Sequence, residues 1–164
     1  MSTKRAAKLP IVHDTEERHT SSKVQQTNAL RLKIDHLKSF EPLTDNQRLF
    51  YDAYKRGDYF LALHGVAGTG KTFIALYLAL RDLLKYESIY NQIVIIRSVV
   101  PTRDMGFLPG TQKEKEEAYQ SPYKAICNEL FGDAAAYAKL AGTQKIHFES
   151  TSFIRGLTFN DSIL

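Results

Sequence analysis

The chain has 164 residues, of which 43% are hydrophobic and 24% are charged, and its formal net charge is +4. These values suit one globular domain with a buried core, and the longest apolar stretches, such as residues 73–80, are too short to cross a bilayer. Because the N-terminus lacks the apolar core of a secretion signal and a single cysteine excludes an internal disulfide, we expect a cytoplasmic protein without a membrane partner.

The positive charge is concentrated near the N-terminus. Residues 1–56 contain 11 Lys and Arg against 7 Asp and Glu, whereas residues 57–164 contain 11 of each kind. We expect residues 1–41 to form a basic, largely flexible segment, because residues 1–28 are polar and lack periodic apolar positions. Such an arm either contacts nucleic-acid phosphates or is a solvated leader, and residues 29–40 fit either a short strand or a short helix.

A helix is predicted to begin after Thr44. Gln47 lies three residues further on, in capping-box spacing, and Gly57 is placed to end the helix. The next residues, DYFLALHG (58–65), form a compact apolar run that is typical of a buried strand. A glycine-rich loop interrupts this run, and KTFIALYLALRDLLK (71–85) is apolar nearly all around, as in a helix packed between a sheet and its neighbours.

A second apolar run, QIVIIRS (92–98), favours a strand covered on both faces and parallel to the first. With the loop and helix between them, the two strands predict a βαβ unit. Residues 99–112 hold two Pro and two Gly, which predicts a long, ordered loop of the functional kind. Ser121 and Pro122 are predicted as the N-cap and first residue of a helix that ends at Gly132.

The last third of the chain predicts three short elements. Residues 133–142 favour a short helix, residues 145–150 a strand, and residues 162–164 the opening of a further strand. Cys127, on the apolar face of the preceding helix, is predicted to be a small core residue.

The glycine loop, GVAGTGKT (65–72), matches the pattern G-x-x-x-x-G-K-[ST]. Its glycines let the backbone turn amide groups towards a phosphate, and the N-terminus of the following helix adds partial positive charge. We predict that Lys71 and Thr72 are catalytic: Lys71 reaches the β and γ phosphates, and Thr72 supplies a hydroxyl to Mg²⁺. The predicted nucleotide-binding residues of the loop are Gly65, Val66, Ala67, Gly68, Thr69, Gly70, Lys71 and Thr72.

Other candidate residues allow two interpretations each. Gln47 either hydrogen-bonds an adenine edge, as in helicase-like ATPases, or only caps its helix with Thr44. Arg97, just beyond an apolar strand, contacts a phosphate or a nucleic acid, or makes an ordinary loop ion pair. Arg155 is an arginine finger or a structural residue, and His64 is expected only to end the strand before the loop. The acidic cluster alternates with lysines and fits a solvated helix face; it comprises Glu114, Glu116 and Glu117.

Hydrolysis by such a loop needs an acid at the end of an apolar strand to hold magnesium. None of the carboxylates after the loop has this context: Asp104 follows a loop, Glu149 leads into Ser and Thr, and Asp161 precedes the apolar residues. We therefore expect the acid to lie beyond Leu164, at the end of the strand that residues 162–164 open.

Three segments together resemble the PhoH-like family, named for phosphate-starvation induction, and especially its short forms encoded by bacteriophages. They are the glycine loop, GFLPGTQKEKEEAYQSPY (106–123) and FIRGLTFNDSIL (153–164), within a match from about Pro42 to the end. The resemblance implies an α/β fold: residues 42–164 form a P-loop, RecA-like ATP-binding core with a mainly parallel sheet flanked by helices. It also implies that Gln47 faces adenine, and that the strand from residue 162 ends in an Asp-Glu pair that this sequence does not reach. Arg97 precedes Ser98 where the family commonly has proline, and a phage-encoded protein implies the host cytoplasm.

These observations lead to competing hypotheses about function. The first is an ATPase that uses ATP and Mg²⁺ and acts on or with single-stranded RNA or DNA when complete. The second is a module that binds nucleotide or nucleic acid without hydrolysing ATP. A small-molecule kinase is a third hypothesis. Helicase activity itself does not follow, because unwinding usually requires two motor domains or an oligomer; a homo-oligomer is a further candidate partner.

Overall fold

The computed structural model describes residues 31–98 and 112–164, with side chains in the second range from residue 117 onward. The chain divides into two units, Met1–Arg31 and Leu32–Leu164. Most of the predicted flexible segment and nearly all of the predicted loop at residues 99–112 therefore lie outside the described residues.

One short 3-10 helix, four α-helices and three strands form the described part of the chain. After a single 3-10 turn at Ile34–His36, the elements in chain order are α1 (Asp45–Arg56), α2 (Lys71–Leu83), β1 (Gln92–Arg97), α3 (Gln112–Phe131), α4 (Ala136–Gly142), β2 (Ile146–Ser150) and β3 (Ser162–Ile163). The sequence left open whether the residues before 41 form a strand or a helix, and the structure shows one short helical turn there.

The three strands form one parallel sheet in the order β2-β1-β3. Ile93 in β1 lies opposite Ile146 in β2 and Ile163 in β3, so the central strand has a partner on each side. In the same register Arg97 lies opposite Ser150, which places both residues at the carboxyl edge of the sheet. The predicted α/β fold, with a parallel sheet flanked by helices, is confirmed.

Helix α2 supplies the largest share of the core. Its apolar residues run nearly all around the helix, as the sequence indicated, and seven of them are buried: Ile74, Leu76, Tyr77, Leu78, Ala79, Leu80 and Leu83. They pack with buried residues of β1, α3, α4 and β2, among them Ile93, Cys127 and Leu140. Burying this much apolar surface fixes the helix that follows the glycine loop in the core.

Helix α1 begins and ends at the residues that the sequence indicated. The Thr44 side chain accepts a hydrogen bond from the Gln47 amide at 3.3 Å, and Gly57 ends the helix in the left-handed region with φ of 82°. Both features satisfy backbone groups that a helix end leaves without partners.

The strand predicted at residues 58–65 is not formed. This run makes no sheet ladder, and its aromatic residues Tyr59 and Phe60 are 91% and 89% exposed. A strand exists only where a neighbour supplies partners for its backbone groups, and among the described residues no strand lies beside this run. The predicted βαβ unit is therefore wrong in its first strand, and β1 instead pairs with β2 and β3.

The helix start predicted at Ser121 is also wrong, because Pro122 lies inside α3. A proline there removes one backbone hydrogen bond. The apolar contacts of the helix lie after that position, where Cys127 and Leu130 are buried in the core. Gly132, with φ of 63°, follows the last residue of α3 as predicted.

Part of the predicted N-terminal segment packs on this core. Leu32, Leu37 and Phe40 lie against the buried cluster, and the Phe40 ring meets the Phe73 ring edge-on at 4.9 Å. The Phe40 amide also donates to the Tyr77 hydroxyl at 3.3 Å. These residues belong to the compact unit Leu32–Leu164.

Candidate functional site

The glycine loop turns tightly into the N-terminus of α2. Gly65, Gly68 and Gly70 have φ of 139°, 80° and 76°, values that side-chain-bearing residues rarely adopt. Gly70 is the N-cap of α2 and provides no side chain to the first helical amides. The loop therefore leaves backbone N–H groups and the positive end of the helix dipole exposed together, which is the local requirement for an anion site.

The Lys71 ammonium folds back over this loop. It donates hydrogen bonds to the carbonyl oxygens of Gly65 at 3.1 Å and Val66 at 2.6 Å, and to the Thr69 hydroxyl at 3.2 Å. The Thr69 hydroxyl in turn donates to the Val66 carbonyl at 3.0 Å. A full positive charge is thus held above the loop by groups that a phosphate can replace.

Gln47 connects helix α1 to the loop. Its side-chain oxygen accepts from the Leu43 amide at 2.8 Å, while its side-chain nitrogen donates to the Thr69 carbonyl at 3.2 Å. A Cβ added at Gly70 would lie 3.3 Å from the same nitrogen. Gln47 thus contacts both the N-terminus of α1 and the loop, and its contact with adenine stays a prediction.

A shallow cleft of about 300 Å³ opens beside the loop. Residues 68–72 line one side of it, and the side chains of Phe73 and Ile126 add apolar walls from α2 and α3. Its volume is at the lower end of the range for small-molecule pockets. The exposed Thr72 is among the lining residues, so its hydroxyl is available to a ligand or a metal ion that occupies the cleft.

The remaining sequence candidates do not join this cluster. The Arg97 guanidinium lies 5.3 Å from the ring centre of Tyr119 and donates to the Tyr119 carbonyl at 3.4 Å, which anchors it to α3. Arg155 is exposed in the turns between β2 and β3. Glu117 forms an ion pair of 2.9 Å with Lys124 on the surface of α3.

The acidic residues do not form a metal site in the part of the chain that the structure describes. No group of three or more His, Cys, Asp or Glu side chains comes together there. Glu149 lies on β2 opposite Ile96, and Asp161 directly precedes β3. Thr72, the one residue predicted as a metal ligand, lies beside the cleft, as expected from its position directly after Lys71.

Cys127 is fully buried, as predicted. Burial raises the pKa of its thiol to about 12, so the side chain stays protonated and behaves as a small apolar group.

A cation-rich cavity lies between α1 and α2, and the sequence did not predict it. It has a volume of about 330 Å³, and its basic residues are Arg48, Lys55 and Arg81. The spacing of Arg48, Tyr51, Asp52 and Lys55 places four polar or aromatic residues on one face of α1, a signal readable in the sequence. Arg81 could not be added to this set from the sequence, because its neighbourhood depends on how α2 packs against α1.

Within residues 31–98 and 112–164, none of the helices is both long and apolar enough to span a bilayer.

Known proteins resemble this chain over most of its length. A family model described as PhoH-like protein matches residues 39–164. A PhoH-like protein of Mycobacterium leprae is 33% identical over 129 residues, or 77% of this chain. Protein PhoH2 of Bacillus subtilis is 32% identical over 137 residues, or 79% of this chain, and a PhoH-like protein of Synechocystis is 28% identical over 151 residues, or 91%. The chain spans only 36%, 30% and 43% of these relatives, respectively, and no solved structure matches it significantly.

Proposed function

This chain belongs to the PhoH-like protein family, and we propose that it binds ATP through the glycine loop at residues 65–72. The proposal depends mainly on one observation: the Lys71 ammonium sits over a loop whose three positive-φ glycines precede the first turn of α2. A triphosphate brings oxygens that accept hydrogen bonds from the loop amides and carry the charge that Lys71 complements.

Each predicted loop residue has a role in this proposal. The amides of residues 65–70 surround the phosphates, Lys71 neutralises the β and γ groups, and Thr72 offers its hydroxyl to the Mg²⁺ that accompanies ATP. Gln47 adds an amide group at the end of the loop, where adenine is the part of ATP that an amide edge can recognise. Bound Mg²⁺ supplies charge neutralisation on the phosphates.

ATP hydrolysis and an action on single-stranded RNA or DNA are proposed for the whole protein. Family membership and the local geometry support ATP binding most directly. Hydrolysis further requires an acid that holds magnesium, and no described carboxylate lines the cleft beside Thr72. The alternative is a module that binds nucleotide or nucleic acid without hydrolysis.

The test compares Lys71→Ala with a lysine just beyond the other end of the same helix. Lys85 is exposed and paired with Asp82, so Lys85→Ala removes the same charge without touching the loop. We expect Lys71→Ala to weaken Mg-ATP binding, measured by titration calorimetry, by at least about tenfold, and Lys85→Ala to leave it unchanged. Equal affinity of wild type and Lys71→Ala would remove the proposal.

A second measurement separates the enzyme from the binding module. ADP formation from ATP is followed with and without single-stranded RNA in the wild type and in Lys71→Ala. Turnover that requires Lys71 supports an ATPase, and ATP binding without any ADP supports the module.

A further inference from the structure

The cavity between α1 and α2 brings three cations around one tyrosine. Arg48 and Lys55 come from α1 and Arg81 from α2, and all three line the cavity with Tyr51. The Lys55 ammonium lies 5.0 Å from the centre of the Tyr51 ring, and the Arg81 guanidinium lies 5.0 Å from the same ring. Such contacts orient cations by the negative face of the ring without neutralising them.

Arg81 is held in one orientation before any ligand arrives. Its Nη1 donates to the Tyr51 hydroxyl at 2.6 Å, and its guanidinium also lies 5.9 Å from the centre of the Tyr77 ring. Both rings are buried, which fixes the plane of the guanidinium. An arginine fixed in this way loses little side-chain entropy when it binds an anion.

The charges of the cavity are not cancelled by direct pairs. None of its three cations has a carboxylate within 4.0 Å among the described side chains, although Glu41 and Asp52 also line the cavity. The Tyr51 hydroxyl stays neutral, because burial raises its pKa to about 12. Three cations and two exposed acids line the cavity, so its surface carries an excess of positive charge.

We propose that this cavity is a second phosphate-binding site, in which Arg48, Lys55 and Arg81 hold a phosphate group of a nucleic-acid strand or of a free nucleotide. The choice of a nucleic-acid strand as the ligand rests on the proposed function. The binding of a phosphate group rests only on the residues that line the cavity. The site is separate from the glycine loop. Arg81 follows Lys71 by ten residues of α2, which is about 15 Å along the helix axis, and the two cavities share no lining residue.

The main test is binding of a fluorescein-labelled, single-stranded U12 RNA, measured by anisotropy at several salt concentrations. The double variant R48A/K55A removes two exposed side chains and leaves the buried Tyr51–Arg81 contact in place. We expect it to weaken RNA binding about fivefold to tenfold and to lower the slope of log affinity against log salt by about one for each phosphate that is no longer neutralised. Asp52→Asn, which removes a repelling charge, should strengthen binding.

Arg56→Ala is the matched control. Arg56 lies on the same helix next to Lys55, is exposed, and pairs with Asp58 outside the cavity. RNA affinity that falls equally in Arg56→Ala and in R48A/K55A would show a general charge effect and overturn the proposal, as would unchanged affinity in R48A/K55A. Thermal denaturation of each variant confirms that it is folded.

The source of the phosphate is distinguished in the Lys71→Ala background, where the glycine loop is disabled. Inorganic pyrophosphate and ATP are titrated into Lys71→Ala with and without R48A/K55A. Binding that survives Lys71→Ala and is abolished in the triple variant identifies a free phosphate ligand. RNA binding that depends on Arg48 and Lys55 without pyrophosphate binding identifies a strand, and absence of both effects refutes the site while leaving the ATP proposal untouched.

Discussion

Gln47→Glu separates the two contacts that the Gln47 side chain makes. In the wild type, Gln47 Oε1 accepts from the Leu43 amide at 2.8 Å, and Nε2 donates to the Thr69 carbonyl at 3.2 Å. A glutamate keeps an oxygen that can accept from Leu43 but loses the Nε2 group. A negative charge in the first turn of α1 also interacts favourably with the helix dipole and stabilises the helix. The change therefore removes the hydrogen bond to the loop and preserves the cap.

The magnitudes follow from these two hydrogen bonds. Each contributes about 0.5–1.5 kcal/mol, and both lie near the surface, so Gln47→Ala should lower the free energy of unfolding by about 1–2 kcal/mol. In Gln47→Glu the missing bond is partly offset by the dipole term of about 0.3–1 kcal/mol, so its stability should stay within about 1 kcal/mol of wild type. Urea denaturation followed by circular dichroism measures both values.

Nucleotide binding then decides what the hydrogen bond from Gln47 to the loop does. If Gln47 recognises adenine and orders the loop, Gln47→Glu should weaken ATP binding about tenfold. Because the new carboxylate also repels phosphates, inorganic triphosphate is titrated in parallel. A proportional loss for ATP and triphosphate would refute adenine recognition, and unchanged ATP affinity would leave Gln47 as a cap alone. Thr44→Ala, which loses only the helix cap, should keep wild-type ATP affinity.

Further predictions concern the core, the helix ends and alkaline pH. Leu78→Ala should lower the free energy of unfolding by about 2–5 kcal/mol, because Leu78 is fully buried in α2; urea denaturation measures the loss. Gly57→Ala should cost about 1–2 kcal/mol, since its φ of 82° disfavours any Cβ although the space around it is open, whereas Gly142→Ala, without a positive φ, should not destabilise. Burial raises the pKa of Cys127 from 9.0 to about 12, so its contribution to stability is complete below pH 9 and is lost as the pH rises towards 12; Cys127→Ala should reduce this dependence.

Elements with local signals were predicted well from the sequence. The cap at Thr44, the left-handed glycine at residue 57 and the helix after Lys71 depend on contacts within a few residues, so the sequence contains their causes. Strand β1 was recognised because a continuous apolar run favours burial in a sheet, and β2 was also predicted as a strand, although its pairing with β1 was not.

Elements that depend on distant neighbours were predicted less well. The run at residues 58–65 has the composition of a strand, yet a strand needs partners that no local pattern specifies. Pro122 illustrates the reverse case, because local signals indicated a helix start there while the helix begins ten residues earlier, at Gln112. The loop site was predictable as a motif, whereas the contact between Gln47 and Thr69 joins residues 22 positions apart and required the fold.

The contacts of Lys71 determine how nucleotide affinity should be interpreted. Its ammonium already donates to two loop carbonyls and one hydroxyl, so in the proposed complex a triphosphate would replace these neutral acceptors with anionic oxygens and gain only the difference. The same bonds hold the loop in shape before binding, which reduces the ordering cost that a ligand must overcome. Lys71→Ala therefore removes both the charge and part of the preorganisation, and its effect on ATP binding exceeds the contribution of a single lysine–phosphate contact. Thr69→Val, which removes one hydroxyl from this network and keeps the charge, isolates the contribution of preorganisation.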